Sequence, residues 1–323
     1  MRVLTFVAVA GLALSVAVAS ANPVAWQREF PQTDFSMTGV PIDEIVTVIP
    51  RDNIPAIDNP DMMAVADEGA IGDREPVITV EIEGAAPRAY PVRYLTWHEI
   101  ANDEAGGVPF AVTFCPLCNS GPVFDRRVDG SVLSFGVSGK LRNSDMVMYD
   151  RETESWWQQA IGTGIVGIHT DTKLVQIPSW MESWAEFKAR NPDGLVMAEP
   201  RWRRRYGTNP YVGYDSGKPW ARFYNGDMPP HDINPMMRVV RVGEKAWTFD
   251  RLQREGEVTE AGITLSWSAG QASALDGGDI ATSKDVGTVR VRDASGQDLP
   301  HDVMFAFAYH AFFPEGDWML GSS

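Results

Sequence analysis

The run Cys115-Pro116-Leu117-Cys118 lies between two stretches that read as strands, residues 108–114 and 122–128, and it holds the only two cysteines of the chain. Two thiols in so short a turn leave room for three chemistries: a metal knuckle, a redox couple or a local disulfide. The residues that follow disfavour a thioredoxin scaffold, which sets its first cysteine at a helix N-terminus to favour the thiolate. Here Cys118 leads through Asn119-Ser120-Gly121-Pro122 into a strand, so a helix has little room.

A strand, Cys-Pro-x-Cys, a residue tolerant of left-handed geometry and a second strand is how zinc ribbons present two thiolates. Asn119 fills the place where glycine is usual. Structural zinc wants four ligands, and a second cysteine pair is absent. Histidine or carboxylate must then complete the set, or the ion is one content with fewer ligands, such as copper(I). A disulfide inside the turn closes a very short loop and gains little entropy. The metal reading comes first; a thiol-disulfide oxidoreductase and a binding or scaffold module with a structural disulfide stay open beside it.

Five histidines are available: His98, His169, His231, His301 and His310. His98 is the first candidate to join the cysteines, sitting beside Glu99 on a predicted helix over residues 91–103 that Gly106-Gly107 ends. A buried histidine bonded to its neighbours is the commoner use of such a residue. His231, after Pro229-Pro230, is second, and His310 in a Phe-rich stretch reads as core. Glu99, Asn102 and Asp103, with Ser144 and Asp145 from the Asn143-Ser144-Asp145 cluster, are candidates to orient the ligands, although such clusters usually serve turns.

Other chemistry finds less support. Gly162-Thr163-Gly164 is too short for a dinucleotide fingerprint, so no nucleotide cofactor is indicated. There is no Gly-x-Ser-x-Gly elbow and no His-Glu-x-x-His. A net charge of −15 argues against nucleic acid and anionic lipid as partners. At the N-terminus, Arg2, an apolar run over residues 3–18 and Ala19-Ser20-Ala21 match a signal peptide over residues 1–21. The mature chain is expected to begin at Asn22, to carry no membrane anchor and to work in the periplasm or outside the cell.

The pattern predicts a β-rich α+β fold of antiparallel strands with a few short helices. Residues 22–75 read as a loop-rich lead-in with one strand, and residues 76–323 as the main domain. Ser179-x-x-Glu182 reads as a capping box opening a helix that carries Trp180, Trp184 and Phe187 on one face. Two marks suggest an imperfect internal duplication with a second copy from about residue 236. Ala89-Tyr90-x4-Leu95 is matched by Ala246-Trp247-x4-Leu252, and Trp180/Trp184/Phe187 by Phe305/Tyr309/Phe312. Chance matching of short aromatic patterns is the alternative.

The segments Tyr94-Leu95-x-Trp97-His98-Glu99-Ile100-x-Asn102-Asp103, Phe114-Cys-Pro-Leu-Cys118 and Phe135-Gly-Val-Ser-Gly139 recur, in this order and spacing, in an exported bacterial family. So do Asn143-Ser-Asp145, Met148-Tyr-Asp-Arg151 and Tyr206-Gly207-x-x-Pro210-Tyr211. On these residues the chain resembles the family catalogued as domain of unknown function 3179. Asn119 departs from the glycine typical there, and Trp157 from a segment often richer in Ser and Leu. The resemblance implies a shared fold and a shared site around Cys115, Cys118, His98 and Glu99, and brings no reaction with it.

Overall fold

A computed structural model describes residues 22–321. The signal-peptide reading falls on residues 1–21, outside the described residues. Among those described, five sheets of three to five strands and one two-stranded ribbon make up the fold. The sheets sit as five blades of a propeller-like ring. Pairing is antiparallel except between three pairs of strands, and each of the five α-helices is seven residues long. This agrees with the β-rich expectation.

Short two-residue turns drive much of the pairing. Gly106-Gly107, Asp129-Gly130 and Asn143-Ser144 all have positive φ at both positions, the geometry whose twist matches that of the flanking strands. The first of these overturns the helix expected over residues 91–103. The helix spans only Val92–His98. Ile100–Ala105 is a strand that pairs with Val108–Thr113 across Gly106-Gly107, a hairpin signal that had read as a helix stop.

The capping box is also displaced. Ser179–Ser183 is a strand, and the box is Ser183 with Glu186, opening the helix Trp184–Arg190. Trp180 therefore lies on a strand and not on the helix face of Trp184 and Phe187. The strand won because it pairs along its length with Pro76–Val80. The lead-in is less irregular than expected. Its strands Ile45–Thr47, Ile57–Asp58 and Met62–Ala64 each add an edge to a different sheet.

Two sheets share one plan. In the first, Ser179–Ser183, Pro76–Val80, Arg88–Pro91 and Leu195–Met197 lie side by side, paired antiparallel, antiparallel and parallel. Asp302–Phe305, Arg238–Val242, Lys245–Thr248 and Asp317–Trp318 repeat that order and those directions. Helices follow the third strand and join the first to the fourth in both: Val92–His98 and Trp184–Arg190, then Phe249–Glu255 and Ala306–Phe312. Ala89-Tyr90 and Ala246-Trp247 occupy equivalent strands, as their sequence match has it. The aromatic match is one helical turn out of step, because Trp184 and Ala306 are the residues that open the two helices.

Candidate metal centre

The site forms where two sheets meet. Val108–Thr113 delivers the cysteine turn, and the hairpin of Phe135–Arg142 with Asp145–Asp150 delivers Asp145. The turn is closed tightly: the Cys115 N–H donates to the Ser120 carbonyl at 2.8 Å, and the Cys118 N–H to the Cys115 carbonyl at 3.2 Å. Asn119 has φ +54, the left-handed geometry anticipated for the residue after the second cysteine.

Strand Asp302–Phe305, from the second of the matched sheets, clamps this turn. Asp302 accepts from the Ser120 hydroxyl at 2.6 Å and the Gly121 N–H at 2.8 Å. The Phe305 N–H donates to the Cys118 carbonyl at 2.8 Å, and the Asn119 amide to the Val303 carbonyl at 3.2 Å. Tyr214 adds a hydroxyl donated to the Leu117 carbonyl at 3.0 Å. Nothing in the sequence around Asp302 signalled this role. Neither matched sheet carries the cysteines, which follow Val108–Thr113 of another sheet, yet the second matched sheet is what holds them in place.

Cys115, Cys118 and Asp145 each present one ligand atom within 4.8 Å of the other two, and all three are buried. Both thiols are free, and that of Cys115 lies 3.7 Å from the Ser144 carbonyl. Asp145 Oδ2 accepts from Gln158 Nε2 at 2.6 Å and from the Ala160 N–H at 3.0 Å, while Oδ1 has no partner. This group could hold a metal ion.

Glu99 stands beside it in a strained conformation. It caps the helix Val92–His98 at φ +61, ψ −31, outside the regions open to residues with a side chain. Gly256 takes the matching place after Phe249–Glu255, at φ +73, ψ −50. Glycine is the ordinary residue for such a cap. Glu99 is 8% exposed, and no Lys, Arg or His pairs with it or with Asp145 among the described residues. Burial first, and then Asp145, pushes the Glu99 carboxyl up to about 8. Burial raises Asp145 to about 7 against the pull of its hydrogen bonds. Both thiols are pushed up as well, chiefly by burial and further by the neighbouring acids. Four buried acids therefore share one place with no cation to offset them.

His98 does not join this group. Its Nδ1 lies 2.7 Å from the Pro55 carbonyl and its Nε2 2.7 Å from the Tyr206 hydroxyl, so both nitrogens are taken. The carbonyl can only accept, which makes Nδ1 the donor and leaves Nε2 to accept from Tyr206. His98 thus ties the end of the Val92–His98 helix to two loops. We expect His98→Gln to leave metal content unchanged and to cost about 1–2 kcal/mol of stability through the lost hydrogen bond. A tenfold loss of metal affinity with the fold intact would return His98 to the ligands.

Asn102 and Asp103 are likewise bonded away from the cysteine group. Asn102 bridges Asp58 and the backbone of Phe135, and Asp103 accepts from Arg88 and the Tyr90 hydroxyl. His231 is an exposed loop residue, and His310 is half-buried on Ala306–Phe312. Neither belongs to the cysteine group. Ser144 and Asp145 do lie at the site, Asp145 as a candidate ligand and not only as a support.

The chain belongs to a family described as Protein of unknown function (DUF3179), whose model matches residues 51–316. The match takes in two of the three edge strands of the lead-in, Ile57–Asp58 and Met62–Ala64, and starts after the third, Ile45–Thr47. No curated protein and no solved structure matches the chain. Among the described residues, no helix is long and apolar enough to cross a membrane.

Proposed function

We propose that this chain is an exported protein that binds one thiophilic metal ion, zinc or copper, through Cys115, Cys118 and Asp145. The observation that carries the reading is the burial of four acids, these three and Glu99, without a cation among them. Without a metal they are accommodated by staying protonated. A divalent cation displaces those protons and supplies the missing charge. Two thiolates suit zinc and copper(I) alike; the carboxylate, a hard donor, weighs toward zinc.

Cycling the same pair between dithiol and disulfide needs a thiolate near neutral pH. Burial opposes that for both thiols, and a left-handed residue and a strand follow Cys118 where a helix would be wanted. The order of strands shared by two sheets supports an ancestral duplication whose first copy kept the chemistry and whose second became the clamp.

The test is protein taken without oxidation from the periplasmic fraction. It should begin at Asn22 and carry about one equivalent of metal. Cys115→Ser and Cys118→Ser should each lower zinc affinity by roughly 100- to 1,000-fold, one ligand's share of a zinc site's binding energy. Metal-free protein with the two cysteines joined in a disulfide would sink the metal reading. Met1 retained in a membrane fraction would sink export.

A further inference from the structure

A cavity of about 140 Å³ opens beside the cysteine turn, lined not by the three candidate ligands themselves but by their neighbours in the chain. Leu117 sits between the two cysteines in the chain, Met146 follows Asp145, and both line the cavity. Tyr211, Trp220 and Phe223 line it as well. Glu99 is the only acid in the lining, and its carboxylate makes no hydrogen bond with protein among the described residues. Lys140 also reaches the wall, but its ammonium is engaged with Glu29 at 2.5 Å. Arg222 is exposed at the edge, its guanidinium over the Trp220 and Phe223 rings at 4.7 and 4.5 Å.

We propose that the metal keeps a coordination position facing this cavity, and that the cavity takes a small uncharged thiol or alcohol. The donor atom of that molecule fills the open position, and its X–H group or a neighbouring one is held by Glu99. This rests on the metal reading above.

Three features of the site point this way. Three protein ligands are brought together and the fourth acid is not among them, the pattern of zinc sites that leave one position for substrate. The space matches that of engineered cavities of about 150 Å³ that accept benzene, so the body of the ligand is limited to roughly six heavy atoms. Apart from Glu99 and the Tyr211 hydroxyl the lining is apolar, with Lys140 engaged by Glu29 and Arg222 at the edge, and such a lining penalises a charged ligand. A soft donor on a short hydrocarbon body meets all three conditions.

The test uses the full chain loaded with cobalt(II) in place of zinc and propane-1-thiol as probe. Titration should raise the sulfur-to-cobalt absorption to saturation, with cobalt still bound after gel filtration. Val137→Phe and Phe223→Trp, which fill the cavity from two sides, should each weaken the probe at least tenfold and leave cobalt content unchanged. The anion 3-mercaptopropionate should bind at least tenfold more weakly than propane-1-thiol. Protein that fails to take cobalt defeats the metal reading itself, and this proposal with it. Cobalt-loaded protein whose spectrum ignores the thiol shows a closed site and overturns the open position alone. Undiminished binding in whichever filled variant folds overturns the cavity, and equal binding of the anion overturns the uncharged ligand.

Discussion

Metal-free protein is expected to lose about 2 kcal/mol of stability between pH 6.5 and pH 8.5, and bound zinc to remove that loss. Asp145 and Glu99 are raised in the folded state, to about 7 and about 8, from ordinary values of 3.8 and 4.5. Across the gap between those values the folded chain holds protons that the unfolded chain has released. Stability from a raised carboxyl is therefore full below its unfolded value and is lost as pH rises toward the folded one. Two buried histidines act in the opposite sense at lower pH. Burial lowers His98 and His301, so below about 6.5 the unfolded chain binds protons that the folded chain refuses. The opposing effects offset each other in acid and leave the carboxyls unopposed above it.

Zinc changes the sign. Its ligands must be deprotonated, so its affinity climbs over the same interval and adds stability through binding to the folded chain. Urea titrations at several pH values, with chelator and with excess zinc, should give two curves that diverge toward alkaline pH. A metal-free curve that rises from pH 6.5 to 8.5 would mean that the buried acids are already ionised and paired.

Local signals in the sequence carried the cysteine turn. Asn119 was legible because a tight turn after Cys-x-x-Cys needs left-handed backbone, and few residues other than glycine supply it. Gly106-Gly107 was misread because two glycines stop a helix and turn a hairpin equally well. The choice was made by Val108–Thr113, which lies across the turn and pairs with Ile100–Ala105. His98 drew attention for the right neighbourhood and the wrong role. Its partners Pro55 and Tyr206 are distant in sequence, and no pattern along the chain announces them. Asp302 was invisible for the same reason, being brought to Ser120 only by pairing between sheets.

Glu99→Gly is expected to stabilise the metal-free protein by about 1–2 kcal/mol, even though it removes a buried side chain. The backbone at φ +61, ψ −31 costs a residue with a Cβ about 1–3 kcal/mol. Glycine relieves that cost but gives back about 0.5–1 kcal/mol through the greater freedom of the unfolded chain. The unpaired carboxyl leaves with the mutation and takes its burial penalty with it. Gly256, in the matching place of the second sheet, shows what the fold uses when nothing is asked of the side chain. Glu99→Ala separates the two contributions, since it removes the carboxyl and keeps the strain. The difference between the Gly and Ala variants in urea melts then reads the backbone alone, and the Ala variant against the parent reads the carboxyl and the space it filled. Metal affinity should move less than tenfold in both, because Glu99 lies outside the group formed by Cys115, Cys118 and Asp145. A Gly variant less stable than the parent would show that the carboxylate makes a contact worth more than the strain. A strained, unpaired and buried acid beside two thiols, where the matching place of the second sheet holds Gly256, fits the part proposed for Glu99 in holding a ligand.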